Sequence, residues 1–585
     1  MKLLRAFLNN HILANLTFAL VFVLGVLSYS SMPREQDPYV NVRWISVVTT
    51  LPGAAAEDVE RRVTEPFEEA IRRQISDIRF LSSTSREGSS ILLVRFEDID
   101  QITFDKHYGN LQREVLNVFT DQVPDEANDP IFTEVTSSTW FPVATVVVSG
   151  LGNDENLRRQ ARNVKKALEL TEGVDRVQNV GMMEPELQVR FYPDRLVGLG
   201  ISAADLADTV RAYFDDISAG DIDTASGQWL VRIEGAKEDP ELLARMPVLT
   251  ASGVVELGQL ADIVRTIEEP VELVRYQGRP AVVFPLLKTV DANILELVER
   301  LTAYIDDRNK LSADTGVSLH LVDDQTIVTR DAIAVMQNNA LIGLSLVLLV
   351  TWLFLGTRVS LLTSIGIPFT LCGTFIVLSI IGMSINTVVL LGIVIALGML
   401  VDDAVVVVET MYRRLQAGED GLDAAINALR EVIAPVTTSV LTTIAAFLPL
   451  ALLPGILGQF MKVIPITVTV ALMVSLLEAY WMLPAHVVAA SGGVTRDSRR
   501  QGRREAATHW IRMRYTQLLL KALRHYYITV LAVVLTLGAA AGTLLSGVVQ
   551  IDFFKGDPIR VFYVDVEMPA GTSLQDTIDE TTRIE

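Results

Sequence analysis

Residues 386–414, NTVVLLGIVIALGMLVDDAVVVVETMYRR, decide how the rest of the chain is read. The run is apolar for long enough to cross a bilayer as one helix, which needs about 20 residues. Within it stand Asp402, Asp403 and Glu409. If the span covers 387–411, the two aspartates sit roughly 5 Å from its midpoint at ~1.5 Å rise per residue. An acidic side chain at such a depth costs about 2.5–3.5 kcal/mol even on insertion scales, so an adjacent pair points to a proton or ion relay. Neighbours on a helix diverge by about 100°, so Asp402 and Asp403 address two different neighbouring helices and not each other. That placement argues against an intramembrane aspartyl protease. The competing reading, a pair neutralised by a basic partner to lock packing, is disfavoured because buried ion pairs stabilise weakly. Gly398, one turn before Asp402, is expected to let a partner helix approach closely. Glu409 lies about two turns beyond Asp402 on the same face, where an accessory relay role competes with a solvated helix end.

Composition agrees with a membrane protein that carries sizeable soluble parts. The chain has 585 residues, 50% of them hydrophobic, and a mean hydropathy of +0.35; that length is too great for one core. A net charge of −20 argues against a nucleic-acid partner and turns the placement of Lys and Arg into a topological signal. The single cysteine, Cys372, excludes an intrachain disulfide and a Cys metal cluster. The histidines, His107, His320, His486 and His509 among them, lack ligand spacing, so no metal site is expected. No G-x-x-x-x-G-K-[ST] loop is present, so ATP is not the encoded energy source.

Taken from the start, Lys2 and Arg5 precede an apolar run over about 12–27, read as an uncleaved first span in preference to a signal peptide. Residues 33–330 contain no spanning run. They alternate strands and amphipathic helices: 40–50, a helix in 52–74, the strand pair 78–85 and 89–96, a helix over 104–119, and a closing strand at 129–135. This is the β-α-β-β-α-β order of a split, ferredoxin-like unit. A second unit is split in two: 143–150, 156–170 and 174–180 form its first half, and 279–288, 292–307 and 317–324 its second. Between them, about 181–272 is an insertion with a strand (185–191), a helix (201–214) and a hairpin around 218–233. A soluble sensor domain is the plainer alternative for this external region.

Five spans follow at about 332–355, 361–381, 387–411, 434–454 and 463–486, and a last one at 526–548. With the N-terminus cytoplasmic, Arg358, Arg413, Arg414 and the basic stretch 496–515 all fall on the cytoplasmic side, while 382–386 and 455–461 carry no Lys or Arg. The fold class is thus a multispan α-helical membrane protein with seven spans and a large external α/β region. Residues 559–585 repeat the strand, small-residue turn and acidic helix that follow the first span. The chain therefore reads as one repeat plus the opening of a second.

The motifs GMLVDDAVVVVE (398–409), TLPGAAAEDVE (50–60) and VGMMEPELQVRFYPDRL (180–196), with this order of spans, resemble those of a resistance-nodulation-division (RND) transporter of the hydrophobe/amphiphile efflux type. The likeness runs over essentially the whole chain. It implies a trimeric permease driven by the proton gradient in a bacterial inner membrane, exporting small amphipathic substrates with a periplasmic adaptor and an outer-membrane channel. Asp402 and Asp403 match the family's proton-carrying pair. The implied division is a first span (1–32), a first porter subdomain (33–138), a second (139–180 with 273–330), a docking-type insertion (181–272), spans two to six (331–490), a basic cytoplasmic segment (491–525), a seventh span (526–549) and the start of a second periplasmic repeat (550–585). The chain departs from the family at Val180, where multidrug members carry a pocket phenylalanine, and it lacks the family's membrane lysine. A protein-export or membrane-sensing component of the same family is the alternative function.

Residues outside the acidic run are also candidates. Glu478, expected near the cytoplasmic third of the sixth span, is an accessory relay point or a snorkelling or helix-pairing carboxylate. Trp140 and Phe141, at the junction of the two external units, either line a substrate cleft together with Val180 or form a core aromatic pair, the better-supported reading. Thr437, Thr438, Thr442 and Thr443 read as helix-packing groups.

Overall fold

The computed structural model describes residues 10–124, 126–214, 217–224, 227–233, 239–250, 253–267, 272–355, 357–491, 498–548, 564–569 and 571–585, with Arg5, Phe7 and Leu8. Strand Asn41–Thr50 turns Ile45, Val47 and Thr49 inward, the period-2 pattern of a half-covered strand. It pairs antiparallel with Ser89–Phe96 on one side and Ile131–Thr136 on the other, and Ile78–Arg86 extends the sheet beyond Ser89–Phe96. Across the sheet the strands therefore run second, third, first, fourth by chain position. Helix Gln101–Gln122 starts at Asp100, whose carboxylate accepts the Thr103 N–H at 2.8 Å. Phe67 and Phe104, from the two helical stretches, meet Ile45 and Leu92 of the sheet in one core.

The second unit repeats that order around a different core. Every residue of Ala144–Gly150 is buried, as in a strand covered on both faces. It lies between Arg279–Lys288 and Val317–Val322, and Val174–Val177 pairs with the far end of Arg279–Lys288. Helices Glu155–Glu169 and Ile294–Asn309 supply Leu157, Leu168, Leu297 and Leu301 to its core. The chain between the second and third strands leaves to build the insertion, where Pro185–Phe191 pairs with Ala261–Ile267 over a separate core of Leu196, Leu206, Leu243, Met246 and Leu257. The expected hairpin is Ile217–Thr224 with Gly227–Ile233; its turn at 225–226 lies outside the described residues.

Among the described residues, six helices are long and apolar enough to cross a membrane: Ile12–Ser31, Thr326–Leu353, Thr387–Gln416, Gly421–Ala451, Gly455–Ala489 and Tyr526–Leu545. The run expected over 361–381 is the 24-residue helix Thr357–Ile380, with Pro368 inside it, of which Ser364–Ile380 forms a shorter apolar segment. Two boundaries differ from the sequence reading. Gly421–Ala451 begins 13 residues before the expected 434, because 421–433 is amphipathic and buries Ala424, Ala425, Ala428, Leu429 and Val432, and Pro435 is carried inside the helix. The expected loop 455–461 is helix Gly455–Met461, which opens the long run Gly455–Ala489. At the far end, helix Leu574–Ile584 forms, capped by Ser573, but 564–569 is not a strand. A strand needs a partner for its backbone groups, and none pairs with 564–569 among the described residues. The rest of that expected strand lies outside the described residues.

Glycines set how closely the membrane helices pack. A Cβ on Gly25 would lie 2.3 Å from Cys372 Cβ, one on Gly392 would lie 2.9 Å from Thr467 Cβ, and one on Gly373 would lie 2.6 Å from Val474 Cγ1. Gly398, expected to seat a partner helix, has nothing within 4 Å of its Cβ position, because its face of the helix is open. Overfilling a tight contact costs about 1–3 kcal/mol. Gly25→Leu should therefore lower the melting temperature of the detergent-solubilised protein, whereas Gly343→Leu, with open space at the Cβ position, should leave it unchanged or raise it. Equal melting temperatures for the two variants would refute the close contact.

Candidate functional site

The acidic helix Thr387–Gln416 starts on Asn386, whose Oδ1 accepts the N–H groups of Val388 and Val389 at 3.1 and 2.9 Å. Its buried face, including Val389, Ile393, Ala396, Leu400, Ala404, Val407 and Met411, packs into the bundle. Leu391, Gly398, Asp402, Val406 and Glu409 form an exposed stripe on the other side. The two aspartates thus part company as their angular separation requires. Asp403 is 7% exposed, and its Oδ2 is buried without a hydrogen-bond partner. Asp402 faces outward, so of the two neighbouring helices expected, the described residues supply one. Glu409 shares Asp402's open face.

Asp403 points into the side of the helix that meets Gly455–Ala489. There Ser475 Oγ donates to the Leu400 carbonyl at 3.4 Å, and Glu478 is 4% exposed. The snorkelling alternative for Glu478 is corrected by this burial: the Gly366 contact and the adjoining helices enclose the carboxylate before it can reach the surface. Thr438, Thr442 and Thr443 donate back to carbonyls of their own helix, while Thr437 Oγ1 lies 2.9 Å from the Tyr480 hydroxyl. Ion pairs in this part of the molecule are Arg5–Asp423, Arg413–Glu431, Arg414–Glu419 and Arg414–Glu431. Among the described residues, therefore, none neutralises Asp402, Asp403 or Glu478.

The outer end of the acidic helix is tied to the external units by the strap just after the first span. Thr387 donates its N–H and its hydroxyl to the Gln36 carbonyl at 3.0 and 2.9 Å, and Ile385 N–H donates to the Pro33 carbonyl at 2.8 Å. Ile294 N–H, at the start of a helix in the second external unit, donates to the Arg34 carbonyl at 3.0 Å. Beside these bonds Lys288 Nζ meets Glu35 Oε2 at 2.9 Å with both side chains buried, and donates to the Val290 carbonyl at 3.0 Å. Sequence reading missed this pair. Its signal was a lone lysine ending the apolar strand RPAVVFPLLK. A cavity of about 360 Å³ opens here, lined by Glu35, Asp37, Phe141, Lys288 and Ile294 among others. Burial, and then the Glu35 carboxylate, push the Asp37 pKa above the usual carboxylate range.

The expected aromatic cleft comes apart in three dimensions. Trp140 and Phe141 are 50% and 62% exposed, which overturns the core-pair reading: the short helix Ser137–Trp140 turns them out of both sheets' cores. Phe141 lines the cavity, and Trp140 is not among its lining residues. Val180 is half-buried and held in a backbone bridge to Val283, with N–H to carbonyl bonds of 3.0 Å in both directions. It too stands apart from the cavity lining.

Removing one partner of a buried ion pair strands the other, at about 3–5 kcal/mol, whereas replacing both with apolar groups is close to neutral. Lys288→Met should therefore lower thermal stability strongly, and Glu35→Leu combined with Lys288→Met should recover most of the loss. A double variant no more stable than the single one would count against the pair. Asp37 behaves in the opposite sense. Its raised pKa means that the folded state holds the proton more tightly, so stability falls as pH climbs from the unfolded value through the folded one. Asp37→Asn should leave stability at neutral pH unchanged or higher and flatten that fall, as thermal melts between pH 4 and 8 would show.

The AcrB/AcrD/AcrF family model matches residues 3–585. Similar curated proteins bear the name multidrug resistance protein MdtC. That of Pantoea ananatis (strain AJ13355) is 26% identical over 491 residues, covering 83% of this chain and 47% of the relative. Those of Pectobacterium carotovorum subsp. carotovorum (strain PC1) and Escherichia coli O139:H28 (strain E24377A / ETEC) are 27% and 25% identical over 498 and 491 residues, with the same coverage of 83% and 47%. The chain spans about half the length of the curated relatives it matches. Because the family match takes in the external sheets and the acidic helix alike, the chain belongs to the AcrB/AcrD/AcrF family of RND permeases.

Proposed function

We propose that this chain serves proton-driven efflux of amphipathic or hydrophobic compounds, as part of the inner-membrane permease of a tripartite pump. The observation that carries the reading is Asp403, buried in a membrane-length helix with an unpartnered carboxylate oxygen and with Asp402 beside it on an open face. A carboxylate so placed interacts differently with its surroundings in its two protonation states. Proton gain and loss at Asp402 and Asp403 therefore bias which helix arrangement is populated. The strap at residues 33–36 transmits that change, since it bonds both the start of the acidic helix and the second external unit. The external units then alternate between open and closed forms around the substrate.

The finer architecture belongs to the same proposal. Thr357–Ile380 is counted with the six helices above to make seven spans. The two sheets, each ordered second, third, first, fourth, are ferredoxin-like porter subdomains, and the 181–272 insertion docks neighbouring subunits of a homotrimer. A periplasmic adaptor and an outer-membrane channel complete the pump. The relatives' name, multidrug resistance protein, supports export of more than one compound; the proposal calls for no cofactor beyond the proton gradient.

In cells carrying the complete pump, Asp402→Asn or Asp403→Asn should abolish energised efflux while expression stays within about twofold, because an amide keeps the size of the carboxyl but cannot cycle a proton. Retained efflux in both variants would sink the relay. For the topology, a reporter fused near Ser226 should be periplasmic and one near Arg500 cytoplasmic; the reverse labelling would overturn the arrangement of spans.

A further inference from the structure

Glu478 occupies a place that the paired aspartates do not explain. It opens a π-helical turn, Glu478–Met482, within the long run Gly455–Ala489. Such turns interrupt the regular ladder of a helix and are frequent at functional positions. The side chain is 4% exposed, and a Cβ on Gly366 would meet its Oε1, so a larger residue there would push the carboxylate off its seat against Thr357–Ile380. Two residues before Gly366, Ser364 is also buried and its Oγ has no hydrogen-bond partner. On the acidic helix, Asp403 stands within electrostatic reach of Glu478 and keeps its own Oδ2 unpartnered.

The turn also touches a third helix. Tyr480, inside it, donates to the Ile433 carbonyl at 3.1 Å and meets Thr437 Oγ1 at 2.9 Å, both on Gly421–Ala451. The turn that Glu478 opens therefore joins Gly421–Ala451, and its carboxylate meets Thr357–Ile380. Other ionisable groups on the packed elements are engaged elsewhere or turned away: Glu409 and Arg430 are exposed, and Lys462 Nζ donates to Gln459. Asp402 faces outward, His486 lies edge-on to Phe18 of the first span, and Arg413 and Arg414 pair with Glu431 and Glu419. Cys372 sits against Gly25, and the Arg358 side chain lies outside the described residues.

We propose that Glu478 is a further proton-exchanging carboxylate, coupling proton movement at Asp403 to the π-turn and through it to helices Thr357–Ile380 and Gly421–Ala451. The step is a proton transfer alone: an O–H bond breaks at one carboxyl or water and forms at the other, with no change of oxidation state. Charge buried without a cation is costly, so the proton on Glu478 and the packing of the turn are thermodynamically linked. This inference rests on the proton-driven reading above.

The test uses the complete pump in proteoliposomes with an imposed pH gradient, comparing the unaltered protein with Glu478→Gln, Glu478→Asp and Asp403→Asn. Glu478→Gln should keep the native melting temperature within a few degrees, lose at least tenfold in substrate-coupled proton flux, and lose part of its pH dependence. Glu478→Asp should restore flux in part, with a displaced pH profile. In the unaltered protein, a hydrophobic carbodiimide should label Glu478 to an extent that falls with rising pH, and Asp403→Asn should move that midpoint. A Glu478→Gln protein with native flux and an unchanged pH profile would refute the role of Glu478 while Asp403→Asn remained inactive. Native flux in both variants would instead bring down the proton-driven reading itself. Should Glu478→Gln not accumulate, the labelling decides alone: modification of Glu478 indifferent to both pH and Asp403 would mark it as a fixed packing group.

Discussion

A carboxylate inside a membrane helix must be surrounded by protein, because lipid offers neither hydrogen bonds nor counter-charge. The membrane part of this chain is arranged around that requirement at Asp403. Thr387–Gln416 and Gly455–Ala489 pack closely, with Gly392 against Thr467 and, nearer Asp403, Ser475 bonded to the Leu400 carbonyl. Thr357–Ile380 closes a further side through Gly366 and Gly373, and the first span reaches Cys372 through Gly25. These contacts lack the solvent-driven hydrophobic term that operates in water, so close backbone approach and dispersion must hold the helices together. Asp402 follows the same rule in reverse: its stripe from Leu391 to Glu409 is the face to which these helices add no cover.

The strap after the first span ties the acidic helix to the external units. Residues 33–36 bond the start of the acidic helix at Ile385 and Thr387 and the start of helix Ile294–Asn309 at Ile294. Glu35 and Lys288 brace the same junction through a buried ion pair. Such a pair adds little net stability but penalises any arrangement that separates it. The two sheets on either side share a strand order although their cores have no residue in common.

Much of this organisation is visible in local pattern. Period-2 alternation in 40–50 and 89–96, and the continuous apolar run of 143–150, mark strands because side-chain direction along a strand is set by the backbone itself. The acids of the 386–414 run stand out because their cost in a membrane depends on depth alone. Helix ends were less legible. The amphipathic stretch 421–433 joins its span because its alanines find a partner surface, and 455–461, expected as the link between two spans, is itself helical. Trp140 and Phe141 were misread as core, since an aromatic at a domain junction carries no local mark of which way it faces.

The sequence by itself determined the class of the protein: membrane helices around an acidic centre, an external region of two like units with an insertion, and membership of a known transporter family. These follow from periodicity, run length and motif, all of which are local. Only the tertiary structure decided that Asp403 is enclosed while Asp402 is open, that Gly366 makes room for Glu478, and that Lys288 crosses to Glu35. Each of those depends on which residues, distant in the chain, come within a few ångströms of one another, and no spacing along the chain records that distance.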